Sequence, residues 1–342
     1  MNEFSKRISF CIPSYNSEEY LHYALDSLLG YDDIEVLVID DGSRDGTLAV
    51  AQSYQDRYPD VFRAIHQENK GHGGAINTAL GLCTGEYFKV LDSDDWVDHD
   101  AMDKLMAFLR QPHETMPDLI LMDYVYQQGR DNPSTRIHFD FYFPKNEIIP
   151  LEKMKRHMRI RDNVTLHSAI YRTEMVRSCG VVLPEHCSYE DNYFVYAPLT
   201  VIDTVCYIPE PLYQYLIGRD GQSMNYETCV RKYKDFVRCG YLIFDYCDIT
   251  KFKNTEKKRY RILRHHFLLS MMMAVIYPLI NASPEAKKDL DAFNEHCEQT
   301  NPELYKLMRR DARVSAFNGK SKFRRGFARF MYALARKIVK FN

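Results

Sequence analysis

The sequence predicts an α/β fold, a mostly parallel sheet flanked by helices, with a helical C-terminal region behind it. Three observations predict it. Through residue 110, short apolar runs alternate with helical patterns of about 10–15 residues, the mark of βαβ units. A polar cluster follows the end of each run. From Thr228 onward the pattern is almost wholly helical.

Ile8–Ile12 reads as a strand that ends at Pro13. Asn16 is expected to start a helix, with Glu19 three residues on as a capping box. Leu21, Ala24, Leu25, Leu28 and Leu29 give that helix an apolar face, and Gly30 stops it. Ile34–Ile39 is a second strand, closed by Asp40-Asp41-Gly42-Ser43, and a helix runs from about Asp45 to Tyr58. Phe62–His66 is a third strand. Gly71-His72-Gly73-Gly74 then leads into a helix through Ala75, Ala79, Leu80 and Leu82. Tyr87–Leu91 is a fourth strand, followed by Asp92-Ser93-Asp94-Asp95-Trp96 and a helix over Asp98–Leu109. Beyond Asp118, Leu119–Tyr126 and Ile137–Phe143 read as strands around an Arg130–Ser134 loop. Leu151–Met158 reads as helix, His167–Tyr171 as strand and Glu190–Tyr196 as a helix start. Val205–Leu216 reads as an extended run broken by Pro209 and Pro211.

Composition narrows the class. The 342 residues are 45% apolar and 27% charged, which excludes collagen-like, low-complexity and wholly disordered chains. Net charge is −2, yet residues 319–342 carry eight Lys or Arg and no acid. Residues 1–110 hold 20 acids against nine bases, so a nucleic-acid partner is not expected. The nine cysteines form no CxxC pair, and their odd count and scatter read as reduced thiols in a cytoplasmic protein. No signal peptide is expected at the N-terminus. Phe267–Ile280 is the most apolar stretch, and at 14 residues it reads as a buried core helix.

In open α/β sheets ligands lie beyond the carboxyl ends of the strands. Ser14-Tyr15-Asn16, Asp40-Asp41, Lys70–Gly74 and Asp92–Asp95 all follow strand ends, so they converge on one edge. Three carboxylates within Asp92–Asp95 suit Mg²⁺ or Mn²⁺, or else cap the next helix. Asp40-Asp41-Gly42 reads as a turn, or as a carboxylate accepting from a nucleobase N–H. Lys70–Gly74 reads as a tight turn, or as backbone N–H groups presented to a phosphate.

Taken together, Ile8-Ser-Phe-Cys-Ile-Pro-Ser-Tyr-Asn16, Val38-Ile-Asp-Asp-Gly-Ser43, Gly71–Asn77 and Leu91-Asp-Ser-Asp-Asp-Trp96 resemble the inverting family 2 glycosyltransferases. The resemblance covers residue 8 to about 220 and implies the GT-A fold, a Rossmann-like nucleotide-sugar domain. It implies that Pro13 and Tyr15 contact the nucleobase or ribose and that Asp41 accepts from the uracil N3–H. Asp92-Ser93-Asp94 would be the DxD motif, with Asp94 on Mn²⁺ or Mg²⁺, Asp92 near the ribose or metal, and Asp95 sharing the role. Glu190-Asp191 matches the family's acidic pair, which makes Asp191 the general base. A helix N-cap is the alternative for that pair.

Two departures stand out. Ile76 occupies the place of a family arginine, so the cationic contact to the donor is missing or is supplied by Lys70, His72 or Arg219. The QxxRW signature of processive synthases is absent, which points to one sugar added per encounter. The resemblance thus implies a metal-dependent inverting transferase moving a sugar from a UDP-sugar to a glycan, lipid-linked or polymer acceptor in cell-surface glycan synthesis. The competing readings are a sugar nucleotidyltransferase and a membrane-surface scaffold with a degenerate nucleotide site. The expected organisation is a transferase domain over 1–220, with a nucleotide-sugar half (1–110) and an acceptor half (111–220). A helical region (221–318) and a basic amphipathic tail (319–342) follow. Phe323, Phe327, Phe330, Met331, Leu334, Ile338 and Phe341 share one face of a tail helix, with bases on most of the rest. Such a helix reads as lying on an anionic membrane surface or packing on the acidic body, and the first would make the enzyme peripheral on the inner face of the membrane.

Overall fold

The computed structural model describes residues 6–128, 133–156, 158–159, 162–217 and 226–315. The chain forms two compact units. One comprises residues 1–157, 164–187 and 201–217; the other comprises 158–163, 188–200 and 218–342.

The first unit is built on one sheet. It contains, in order, β1 (Lys6–Ser14), α1 (Leu21–Asp26), β2 (Ile34–Asp40), α2 (Thr47–Arg57), β3 (Phe62–His66), α3 (Gly71–Leu82) and β4 (Gly85–Val90). Next come β5 (Trp96–Val97), α4 (His99–Arg110), β6 (Leu119–Gln127), β7 (Pro133–Ile137), β8 (Ile148–Pro150), β9 (Ala169–Arg172) and α5 (Thr173–Ser178). After the excursion of 188–200 into the other unit, β10 (Thr204–Leu216) completes the sheet. The strand order is β3-β2-β1-β4-β9-β6-β10-β5, with β7 on β6 and β8 on β10.

All seven residues of β2 are buried, as expected of a central parallel strand covered on both faces. β3, β2, β1 and β4 run parallel. β9 then enters antiparallel to both β4 and β6, so the sheet is mixed beyond β4. β1 and β4 approach closely at Gly85, where a Cβ would lie 2.5 Å from the Ser9 nitrogen, so only glycine fits. The chain steps from β1 to β2 and β3 on one side and to β4 on the other. That reversal opens a crevice at the carboxyl ends of β1 and β4.

The second unit is helical: α6 (Asp191–Tyr196), α7 (Tyr226–Arg231), α8 (Tyr233–Tyr246), α9 (Lys257–Asn281), α10 (Pro284–Thr300), α11 (Pro302–Arg310) and α12 (Ala312–Ser315). α9 is its core, with Leu263, Phe267, Leu268, Met271, Ala274 and Val275 fully buried. By length and composition α9 could cross a membrane, but 67% of its most apolar window is buried within the fold.

Three local expectations need correction. The first helix starts at Leu21, since Asn16 has φ 51° and is engaged elsewhere: its Oδ1 accepts from the Arg44 N–H and its own N–H donates to Ser43 Oγ. The Asn16–Glu19 capping box is therefore absent. The strand expected at Ile137–Phe143 lies instead at Pro133–Ile137, overlapping the end of the loop expected at Arg130–Ser134. Phe139, Tyr142 and Phe143 form a buried turn, whose spacing of three and four puts all three rings inward. The helix expected over Leu151–Met158 is one 3₁₀ turn, Leu151–Lys153, because Met154 is extended and the Lys155 N–H bonds back to the Tyr142 carbonyl.

Candidate active site

The crevice edge gathers the polar clusters that follow β1, β2, β3 and β4. Pro13 is buried at the end of β1, and Tyr15 beyond it is 49% exposed, an open aromatic face at the rim. Asp41 follows β2 and is buried. Its Oδ1 accepts from Gln67 Nε2 at 2.7 Å and from the Lys70 N–H at 2.8 Å, and its Oδ2 accepts from the Gly71 N–H at 2.8 Å. The carboxylate thus satisfies two backbone donors at the start of α3. Gly71 has φ +77°, and a Cβ there would meet the His186 nitrogen at 2.9 Å, which explains a glycine at this turn. The Lys70 ammonium is about half exposed and sits 3.8 Å from Glu185.

The fourth cluster, Asp92–Asp95, follows β4. Its four residues do not cap α4; Asp98 does, accepting from the Ala101 N–H at 2.9 Å. Asp92 Oδ1 lies 3.0 Å from His72 Nε2, and the Asp92 N–H donates to the Tyr213 hydroxyl at 3.2 Å. Burial pushes the Asp92 carboxyl up, but the His72 hydrogen bond and charge, with His167 and Tyr213, outweigh it and hold the group below the usual carboxylate range. Asp95 is fully buried. Its Oδ2 accepts from the Tyr213 hydroxyl at 2.7 Å and its Oδ1 from the Leu216 N–H at 2.8 Å. Burial first, then the charge of Asp92, pushes the Asp95 carboxyl up. Asp94 is half-buried on the same turn.

His167, on the turn entering β9, is a site residue that the sequence does not announce. A ring nitrogen of His167 and carboxylate oxygens of Asp92 and Asp95 all lie within 4.8 Å of one another. Among the described residues this is the group able to hold a metal ion, and Asp94 is not in it. Tyr215 stacks on the His167 ring at 4.5 Å, Tyr213 meets it edge-on at 4.8 Å and Tyr124 lies at 5.4 Å. Its Nδ1 is buried without a hydrogen-bond partner among the described residues. Burial pushes its pKa down to about 4, so the imidazole is neutral and offers a lone pair. The two carboxylates of this donor set suit Mn²⁺ or Mg²⁺, and the imidazole nitrogen suits a first-row transition metal.

Asp191 belongs to the helical unit, where it is the first residue of α6. The residue flanking α6 is Glu190, which is buried and makes no side-chain cap. Asp191 is half-buried, and its Oδ1 accepts from Asn192 Nδ2 at 3.0 Å. Just before it Tyr189, at φ 67°, stacks on Phe236 at 3.7 Å and anchors the start of the helix. Arg219 and the 319–342 tail lie outside the described residues.

The pattern of the family described as Glycosyl transferase family 2 matches residues 9–178. TarS of Staphylococcus aureus, a poly(ribitol-phosphate) beta-N-acetylglucosaminyltransferase, is 27% identical over 224 residues, 64% of this chain and 37% of that one. A poly(ribitol-phosphate) beta-glucosyltransferase of Bacillus spizizenii is 26% identical over 225 residues, 64% of this chain and 33% of that one. The chain therefore spans about a third of the length of these two relatives. The crystal structure of S. aureus TarS 1–349 in complex with UDP-GlcNAc superimposes with a TM-score of 0.67 at 21% identity, covering 96% of this chain and 92% of that one.

Proposed function

Because this chain belongs to glycosyl transferase family 2 and has the GT-A fold, we propose that it transfers one sugar from a UDP-sugar to an acceptor hydroxyl with inversion. The observation that carries the reading is the convergence of Asp41, Asp92 and His72 on the crevice between β1 and β4, where such folds bind nucleotides. UDP-GlcNAc and UDP-glucose are the donor candidates. The UDP-GlcNAc held by the TarS crystal structure and the activities of the two relatives support them. Those two activities also support a polyol-phosphate polymer of the cell surface as acceptor.

In this reading Tyr15 and Pro13 flank the nucleobase, and Asp41 accepts from its N–H. Lys70, His72 or Arg219 would supply a cationic contact to the diphosphate, in place of the arginine that Ile76 replaces. Asp92 and Asp94, with Asp95 and His167 close by, would hold Mn²⁺ or Mg²⁺, which when bound offsets the charge of the UDP leaving group. Asp191 removes the acceptor hydroxyl proton as that oxygen bonds to the anomeric carbon. The bond from that carbon to the β-phosphate oxygen breaks on the opposite face, and its electron pair leaves with UDP. A positioned base contributes about 10²–10⁴ in rate. An α-linked donor gives a β-linked product. The basic 319–342 segment would bring the enzyme to an anionic membrane surface on the cytoplasmic side, beside its acceptor.

The test is a UDP-release assay over a panel of UDP-sugars with a poly(ribitol phosphate) acceptor, with Mn²⁺ and with EDTA. Acceptor-dependent UDP release that EDTA abolishes is expected. Release of pyrophosphate from UTP and a sugar phosphate, or no turnover and no UDP binding, would overturn the reading.

A further inference from the structure

The roles proposed above leave the buried ammonium of Lys89 unused. Lys89, on β4, is 1% exposed. Its ammonium donates to three backbone carbonyls, those of Leu166 and His167 at 2.7 Å and that of Ala169 at 3.3 Å, which uses all three of its N–H bonds. It also lies 4.9 Å from the centroid of the Tyr213 ring. Burial pushes its pKa down to about 7, with Asp92 and then Asp95 opposing. An apolar residue would cost less at this strand position, since an ammonium must be desolvated to sit there.

What the ammonium holds is specific. Its three acceptors are the turn that delivers His167 to the crevice and the first residue of β9. Tyr213, on its other side, bridges the Asp92 N–H and the Asp95 carboxylate. The same ring meets His167 edge-on. Lys89 therefore contacts both supports of the metal-capable group without joining it.

We propose that Lys89 is a positioning residue of the donor site, fixing the His167 ring beside Asp92 and Asp95 through the 166–169 turn and Tyr213. The inference rests on the donor reading above. Outer partners of this kind are worth about 10–100-fold in metal affinity or activity.

Calorimetry of UDP binding in the presence of Mn²⁺ tests it on the full chain. Lys89→Met should weaken binding about 10-fold or more. In a His167→Ala background the same substitution should have less than about a third of that effect, because the two residues act through one ring. Long-range ¹H–¹⁵N spectra of the His167 imidazole give a second readout. One sharp neutral tautomer is expected in the wild type, and a broadened or shifted ring in Lys89→Met and Lys89→Gln. Wild-type affinity in Lys89→Met, additive losses in the double variant, or an unaltered His167 ring would each overturn the proposal. Loss of the folded state in both Lys89 variants would also overturn it, since Lys89 would then be a folding residue. If the wild type ignored UDP, the donor reading would fail, and the His167 spectra would still decide whether Lys89 holds the ring.

Discussion

The hydroxyl of Tyr213 donates to Asp95 at 2.7 Å, joining the middle of β10 to the turn after β4 across 118 residues of sequence. The same oxygen accepts from the Asp92 N–H. A phenylalanine here would leave the buried Asp95 carboxyl with only the Leu216 N–H of its two donors. Tyr213→Phe should lower stability by about 1–3 kcal/mol. It should also weaken UDP binding, and thermal melts with UDP titrations of the variant check both.

Asp94→Asn should abolish turnover and weaken Mn²⁺-dependent UDP binding, because an amide is a poorer ligand for a hard cation than a carboxylate. The fold should persist, since α4 is capped by Asp98. Retained turnover in the variant, or undiminished turnover in EDTA, would refute the metal role.

Asp191→Asn should lower kcat by at least about 100-fold while leaving UDP affinity unchanged. Single-turnover kinetics and UDP calorimetry on the same preparation separate the two quantities. Loss of UDP affinity with turnover retained would move Asp191 from the base role to the donor site or to structure.

The core of the helical unit should be acid-sensitive through His266. Burial, and then the charge of His265, pushes its pKa down to about 3, and its Nε2 is buried without a partner among the described residues. The unfolded chain therefore binds a proton that the folded chain refuses between about pH 6.5 and pH 3. Stability is unaffected by this group above pH 6.5 and falls by about 1.4 kcal/mol per pH unit below it. Urea unfolding at pH 7.0, 6.0 and 5.0 should show a shallower acid slope in His266→Leu.

Deleting residues 319–342 should release the protein from anionic liposomes while preserving transfer to a soluble acceptor. Each of the eight bases is worth about 1 kcal/mol near such a surface, so the full chain should bind at low salt and dissociate as salt rises. Co-sedimentation of both forms decides it.

Much of the crevice was legible because it is local. Each cluster directly follows an apolar run, so Asp41 and Asp92 could be assigned to one edge without knowing the strand order. The Lys70–Gly74 turn was legible for the same reason, since glycines before an apolar helical pattern mark a strand-to-helix turn. His167 was not legible. It opens the run His167–Tyr171 that reads as strand, and its role depends on β9 entering antiparallel next to β4, a pairing that no local pattern encodes. Lys89 reads as a polar interruption in an apolar run, because its partners are carbonyls 77 to 80 residues away. At Ile137–Phe143 aromatic content favoured a strand, while the inward spacing of Phe139, Tyr142 and Phe143 favoured the turn that forms.

The three N–H groups on Asp41 have a consequence for base selection. A carboxylate offers about four lone-pair directions, and here two on Oδ1 and one on Oδ2 are taken. A single acceptor direction is left, and the donors already in place hold it at a fixed angle. In the donor reading, that vacancy matches a pyrimidine edge with one N–H. A guanine edge brings two adjacent N–H groups, and the second would enter the crevice with no acceptor on this carboxylate, at the cost of its lost hydration. Discrimination between uridine and guanosine diphosphates would then follow from how fully the protein has already used the oxygens of Asp41.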